Sequence, residues 1–326
     1  MPFLSWMSRY FLLSALLLIP GCMATLPEIP DPPAGTYRVH TETTYNAVRR
    51  KFLLHIPPNY RPETPLPLVI VIHGAFSTGK QTETETGFST LADEECFLVA
   101  YPEGIGLFGL FQHWNAGHCC GKAADDQVDD VGFVAEVIGV VLRKLTVDPA
   151  RIYLAGMSNG GMLTYRFAAE RAGDLAAAAV VSGAIGSTVD GEEPRCYLPK
   201  PAHVVPLIVF HGSEDDTIPA NDTNSTRTSG KRSFLPAVYA ADFWSTANGC
   251  EPEPVKENSD NGAMQRLVWK GCLDGSSVEF NLLSGWGHQW PAPWFTGRLN
   301  TDHPLKGFDA TRQIWEFFSR YRRSSP

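Results

Sequence analysis

The sequence is poor in charged residues, and in basic residues above all. Charged residues make up 19% of the 326 positions, and 35 Asp and Glu against 27 Lys and Arg give a formal net charge of −8. A dense Lys/Arg block is lacking as well, so nucleic acid is not expected as a partner. Hydrophobic residues, at 44%, are numerous enough to bury a substantial core, which excludes an intrinsically disordered chain.

The N terminus lacks an apolar run long enough for an ordinary membrane-spanning helix. Residues 11–19 form a short apolar core behind the positive charge of Arg9, which predicts an export signal over residues 1–21. The segment Leu-Ile-Pro-Gly-Cys at 18–22 resembles a bacterial lipobox, which implies a lipid on Cys22 and a protein anchored to a bacterial membrane. The alternative is a simple cleaved signal, with Cys22 removed or unmodified.

Both interpretations place the protein outside the cytoplasm, in the periplasm or the extracellular space. Residues 22–36 contain too many prolines for a helix or a central strand, so we expect a tether there.

Cysteine patterns typical of metal sites are missing too. Cys119 and Cys120 are adjacent rather than spaced as C-x-x-C, and no matching histidine pair follows, so we expect neither a metal nor another cofactor. The remaining cysteines suit an oxidising compartment. Their connectivity cannot be read from the sequence, but Cys250 and Cys272 flank one local excursion and are the best disulfide candidates.

Several apolar runs end at glycine or another small residue, as buried parallel strands do at a functional edge. These runs are residues 66–72, 152–155, 176–181, 207–210 and 278–283, and helical patterns occupy 131–145, 162–171 and 308–321. The alternation predicts a doubly wound α/β fold with a mostly parallel sheet and helices on both faces. We expect residues 37–326 to form one domain, with an exposed insertion loop at 221–233.

The pentamer GMSNG at 156–160 places Ser158 between two glycines, after an apolar strand and before a helical pattern. A G-x-S-x-G turn of this kind exposes a nucleophilic serine, whereas the pentamer alone also occurs in ordinary turns. The strand before it and the helix after it favour the nucleophile. The amide of Asn159 would then be one oxyanion donor, at a helix N terminus.

A serine nucleophile needs an imidazole base and an orienting carboxylate, which follow it in this order in the chain: acid, then histidine. Asp215 comes just after the run 207–210 and is the predicted acid, although some carboxylates of this turn are simply solvated. His288 lies on a glycine-flanked loop after the run 278–283 and is the predicted base. Its rivals, His203 and His303, do not directly follow a strand.

The second oxyanion donor is expected in the loop after the first of these strands. Gly74 lets the chain turn close to the substrate there, and Ala75 is the predicted amide donor. We interpret His73, in the same loop, as a hydrogen-bonding scaffold rather than a second base.

Several ordered motifs together resemble the secreted esterases that include polyhydroxybutyrate depolymerases and feruloyl esterases. The motifs are HGAFSTG at 73–79, YPEG at 101–104, WNAGHCCGKAADDQVDDVGFV at 114–134, GMSNGGML at 156–163, HGSEDDTIP at 211–219 and GWGHQWP at 285–291. The resemblance implies an α/β-hydrolase fold with Ser158, Asp215 and His288 as catalytic residues. It also implies that Trp114 and the cysteine pair lie near the rim of the active site.

Within these motifs we expect Trp114 to contact substrate, with a core position as the alternative, and Asp129 and Asp130 to cap the following helix. Trp286 interrupts the glycines that this family usually carries before its catalytic histidine. With Trp290 it suggests an aromatic lip that binds substrate, against the alternative of a loop cluster packed on the body.

The sequence therefore predicts an exported serine carboxylesterase acting on a small ester or oligoester. Candidate substrates are hydroxyalkanoate oligomers, feruloyl esters and short acyl esters. We expect no polymer-adsorbing domain, which makes attack on an insoluble film doubtful. A serine peptidase on the same fold and a non-catalytic binding lipoprotein are the alternatives; the oligomeric state is open.

Overall fold

The computed structural model describes residues 34–107, 109–189, 195–221, 232–259 and 261–323. The predicted export signal, Cys22, nearly all of the tether and most of the predicted insertion loop lie outside these ranges. Within them, no helix combines the length and the apolar character that crossing a membrane requires.

The described chain alternates strands and helices. The strands are β1 Gly35–Tyr45, β2 Val48–Ile56, β3 Leu66–Ile72, β4 Leu98–Pro102, β5 Ile105–Leu107, β6 Leu110–His113, β7 Val147–Met157, β8 Ala177–Val181, β9 Gly186–Val189, β10 Arg195–Cys196, β11 Leu207–Gly212, β12 Arg232–Phe234, β13 Val255–Asn258, β14 Met264–Trp269 and β15 Val278–Leu283. The helices are α1 Gly79–Thr86, α2 Phe88–Glu95, α3 Gly121–Asp125, α4 Asp130–Lys144, α5 Asn159–Glu170, α6 Val238–Ala247, α7 Pro293–Thr296 and α8 Ala310–Phe318.

Among the described residues, one large sheet has the order β1-β2-β4-β3-β7-β8-β11-β15-β14-β13. Its centre, from β4 to β15, is parallel throughout, and both flanks are antiparallel. This confirms the predicted α/β fold and its mostly parallel sheet. Every strand and helix expected from the apolar pattern is present, with ends shifted by a few residues.

The predicted start of the domain is wrong by two residues, because β1 begins at Gly35 rather than after residue 36. Gly35 and Thr36 pair with Ile56 and His55 of β2 in an antiparallel ladder. These hydrogen bonds come from a partner strand, so local composition does not reveal them.

Alternate residues of the central strands pack into two apolar layers, one on each face of the sheet. In β3, Leu68, Ile70 and Ile72 join the layer covered by α4 and α5, whereas Val69 and Val71 join the layer covered by α2 and α8. Because both faces are covered, β3 is apolar along its whole length rather than alternating. The sheet is therefore a rigid support for the loops at its carboxyl edge.

Candidate active site

Ser158 sits on a sharp turn between β7 and α5, as the G-x-S-x-G pattern predicts. Its backbone has φ 52° and ψ −121°, a conformation that a residue with a side chain adopts only when its surroundings enforce it. A Cβ on Gly156 would lie 2.6 Å from the carbonyl carbon of Gly160, and a Cβ on Gly160 would lie 2.8 Å from that of Ile72. Both glycines are thus steric requirements of the turn.

The structure brings Ser158, His288 and Asp215 together from the ends of three strands. The hydroxyl of Ser158 donates to Nε2 of His288 at 2.9 Å, and Nδ1 of His288 donates to Oδ2 of Asp215 at 2.8 Å. β11 and β15 are adjacent parallel strands, paired from Leu207–Val278 to Gly212–Leu283, so the loops after them deliver acid and base side by side. His203 and His303 do not take part in this chain of hydrogen bonds.

The Asp215 carboxylate is buried and surrounded by donors. Oδ1 accepts from the amides of Thr217 and Ile218, both at 2.9 Å. Burial alone would raise the pKa of Asp215, but the hydrogen bond and charge of His288 and the donors around the carboxylate outweigh it, and the pKa lies below its ordinary value. The acid is therefore held ionised and fixed in orientation.

A second histidine, His211, also touches this carboxylate. The ring is completely buried, with Nε2 3.0 Å from the carbonyl oxygen of Ile218 and 3.3 Å from Oδ2 of Asp215. Burial lowers the pKa of His211, so the ring is neutral and carries one N–H. Sequence reasoning missed this role, although the shared pattern of a strand ending in His-Gly, as at His73, was a usable signal.

The two predicted oxyanion donors flank the serine. Asn159 is the first residue of α5, a position whose N–H has no acceptor within the helix. Ala75 lines the cleft beside Ser158. Nδ1 of His73 donates to the carbonyl of Gly74 at 2.7 Å, and because carbonyl and N–H point opposite ways in a trans peptide, this bond directs the Ala75 N–H away from the core.

His73 acts as a scaffold, as expected. It is fully buried, and burial lowers its pKa to about 4, so the ring stays neutral at ordinary pH. A neutral ring that donates through Nδ1 accepts at Nε2, where the Gly104 amide donates at 3.0 Å.

The cleft beside the serine has a volume of about 220 Å³. One wall is the polar face of α1, which sequence reasoning did not identify because this helix has no apolar periodicity. The other residues around the cleft come from the turn after β3, the turn that carries Ser158 and the loop that carries His288. The lining is Gly74, Ala75, Ser77, Gln81, Thr82, Glu85, Thr86, Met157, Ser158, His288 and Trp290.

The prediction that Trp114 contacts substrate is wrong in this structure, since its side chain has no exposed surface. Its ring packs between His73 and Phe133, and Nε1 donates to the carbonyl of His73 at 2.9 Å. The side chain of Asn159 brackets its backbone, accepting from the Trp114 N–H at 2.7 Å and donating to its carbonyl at 3.0 Å. Trp114 therefore braces the two loops that carry the oxyanion donors.

The predicted aromatic lip is only partly present. Trp286 is buried, its Nε1 donates to the carbonyl of Gln289, and it does not line the cleft, so the packed-cluster alternative describes it better. Trp290 lines the cleft, although only 1% of its surface is exposed. Its Nε1 donates to the Thr311 hydroxyl at 2.9 Å, which holds the ring in place.

The two aspartates before α4 have different partners. Asp129 caps the helix, accepting from the Gly132 N–H at 2.8 Å. The expectation for Asp130 is wrong, because it is fully buried and forms an ion pair with Arg50 at 2.6 Å. Only the folded chain brings Arg50 of β2 to the start of α4, so this partner could not be predicted from the sequence.

The described cysteines include two disulfide-bonded pairs. Cys250 is joined to Cys272 by a disulfide, and Cys119 to its neighbour Cys120. In the described part of the chain, no group of three or more His, Cys, Asp and Glu side chains is arranged to hold a metal ion.

Comparisons with known proteins find similar esterases. The chain is 31% identical over 242 residues to Feruloyl esterase B from Piromyces equi, covering 73% of this chain but 42% of that protein. It is 27% identical over 314 residues to Feruloyl esterase C from Emericella nidulans, covering 96% and 99% respectively. The chain thus spans less than half of the first relative and nearly all of the second.

A solved structure with the same fold is the acetyl xylan esterase from Aspergillus awamori, at a TM-score of 0.59 and 17% identity, covering 88% of this chain and 99% of that one. Residues 51–192 match the family model described as Esterase PHB depolymerase. With the relatives above, this match confirms the predicted resemblance to the esterase family that contains the polyhydroxybutyrate depolymerases and the feruloyl esterases.

Proposed function

We propose that the protein is a serine carboxylesterase in which Ser158 is the nucleophile, His288 the general base and Asp215 the orienting acid. One observation carries the proposal: the hydrogen-bonded chain from Ser158 through His288 to Asp215, at 2.9 and 2.8 Å, opens onto a cleft. A nucleophile, a base and a group that orients the base are the parts that acyl transfer requires.

The chemistry follows from these positions. Nε2 of His288 accepts the proton of the Ser158 hydroxyl as Oγ attacks the ester carbonyl carbon, and the amides of Asn159 and Ala75 donate to the oxyanion. The tetrahedral intermediate then expels the alcohol, which takes the proton from His288. Water attacks the acyl-enzyme by the same route, and release of the acid restores Ser158. No cofactor enters any step.

The substrate class follows from the family and from the small cleft. Hydroxyalkanoate oligomers, feruloyl esters and short acyl esters all present a carbonyl that fits beside Ser158. The names of the relatives, feruloyl and acetyl xylan esterases, support esters of small acids.

We further propose that the protein is exported, with Cys22 as its lipid anchor. Fatty acids released when the purified N-terminal peptide is hydrolysed with acid or base would support the anchor.

The proposal predicts that the wild-type protein reacts with a fluorophosphonate probe and that the label resides on the peptide containing Ser158. A panel of matched aryl esters and peptide anilides should show hydrolysis of the esters alone. Faster cleavage of the anilides would favour the peptidase alternative. Absence of both labelling and turnover in folded protein would favour the binding lipoprotein.

His211 provides a separate prediction about positioning. Replacing His211 by leucine removes the Nε2 donor to the Ile218 carbonyl, in the turn whose amides hold Asp215, whereas His211→Gln keeps a donor at a similar distance. We expect His211→Leu to lower kcat by about tenfold, because loss of this buried hydrogen bond loosens the turn that orients the Asp215 carboxylate.

The glutamine variant is the matched control, since it perturbs the same buried site. It should recover most of the activity at a similar unfolding temperature. Equal losses in both variants would contradict a role for the donor and would indicate packing alone.

A further inference from the structure

Two aromatic rings stand exposed next to the cleft, on neighbouring segments. Phe76 is 67% exposed, Phe111 60%, and Leu110 beside it 58%. The two rings meet edge to face with centroids 6.3 Å apart, and Phe76 also packs against His113. We call Phe76, Leu110 and Phe111 the aromatic shelf.

The shelf adjoins the loop that forms one side of the cleft. Phe76 lies between Ala75 and Ser77, which both line the cleft. Its N–H donates to the carbonyl of Gln112 at 2.8 Å, and Ser77 forms a bridge with Gln112, so the β5–β6 hairpin is attached to the loop that contains Ala75. The shelf is therefore the exposed apolar surface next to this side of the cleft.

Folding does not account for the shelf. Phe76 has φ 64° and Phe111 φ 52°, in the left-handed region that bulky residues avoid. Their rings gain little from burial because most of their surface faces solvent. Two strained residues that also expose apolar surface are better explained by a ligand that covers them.

The size of the cleft indicates what that ligand is. Pockets that enclose whole small molecules measure about 300–1,000 Å³, and this cleft, at about 220 Å³, falls below that range. Its α1 wall is polar, with the side-chain amide of Gln81 donating to Glu85. An ester with a long hydrocarbon part cannot place that part inside the cleft, and the shelf is the adjoining apolar surface.

We propose that the aromatic shelf binds the hydrocarbon part of an ester substrate that projects from the cleft, and that Phe76 and Phe111 set the preference for long over short esters. This inference rests on the proposed ester hydrolysis at Ser158. The occupant is a flexible aliphatic chain of the substrate, held by contact with both rings.

The test compares methyl acetate with two longer esters, methyl octanoate and octyl acetate, which place the chain on the acyl or the alcohol side. The variants are Phe111→Asn and the double variant Phe76→Asn/Phe111→Asn, since asparagine tolerates positive φ. The single variant leaves the residue next to Ala75 intact. Val48→Asn is the control, because Val48 is also exposed, at 69%, but lies at the start of β2 rather than next to a residue that lines the cleft.

We expect the kcat/KM ratio of one long ester to methyl acetate to fall about threefold in the single variant and about tenfold in the double variant, with no change in Val48→Asn. The unfolding temperature should not fall, because asparagine relieves the strain. Ratios that stay within twofold of wild type for both long esters would overturn the proposal. A wild-type protein that takes the fluorophosphonate label but hydrolyses none of the three esters would overturn this proposal alone. A protein that neither takes the label nor hydrolyses any ester would instead refute the proposed function itself.

Discussion

Ser158→Ala is expected to abolish ester hydrolysis, with kcat reduced by about five to six orders of magnitude, as for the nucleophile of a comparable triad hydrolase. Only binding and the oxyanion donors then remain, and these retain a small acceleration over water. The measurement is turnover of a short aryl ester by protein purified free of host esterases. Circular dichroism establishes that the variant is folded.

Two adjacent carboxylates supply the control for this experiment. Asp215→Asn should lower kcat by about four orders of magnitude, because the amide favours the wrong histidine tautomer. Asp216, the next residue, is exposed and accepts a hydrogen bond from the Thr217 hydroxyl, so Asp216→Asn should stay within about twofold of wild type. Similar activity in the two asparagine variants, or appreciable turnover by Ser158→Ala, would refute the assignment of the triad.

Asp130→Asn is expected to lower the free energy of unfolding by about 3–5 kcal/mol. The substitution keeps the shape of the side chain but leaves the guanidinium of Arg50 buried without its counter-charge. That guanidinium lies 3.6 Å from the centroid of the Phe133 ring, with its Nη2 donating to the carbonyl of Glu103, so water cannot replace the lost carboxylate. Urea denaturation measures the change.

The exposed ion pair between Lys122 and Asp126 is the matched control, and Asp126→Asn should leave the unfolding midpoint unchanged. The double variant Arg50→Met/Asp130→Leu removes both charges and should regain most of the stability lost in Asp130→Asn. A midpoint for Asp130→Asn equal to that of the control would show that the buried pair is not needed for stability.

The three residues of the proposed triad were predictable from the sequence because each follows a buried strand in a glycine-flanked turn. The turn at Ser158 has a partly local cause, since a Cβ on Gly156 would clash with Gly160 in the same turn, whereas a Cβ on Gly160 would clash with the end of β3. Their order along the chain, serine, then acid, then histidine, is that of the α/β-hydrolase fold. The hydrogen-bond partners of His211 could not be predicted from the sequence in this way, and neither could the polar wall that α1 forms. Both features depend on which loops pack together in the folded chain.

The sequence by itself determined the class of the fold, five of the six parallel strands in the described sheet and the three residues that converge at its edge. Glycine sterics and apolar periodicity act over a few residues and can be read along the chain. Only the tertiary structure decided that Trp114 is a buried brace, that Asp130 pairs with Arg50 and that Phe76 stays exposed. The same residue types suit a core, a cap or a cleft, and which of these they occupy depends on segments that are distant in sequence and packed together only in the fold.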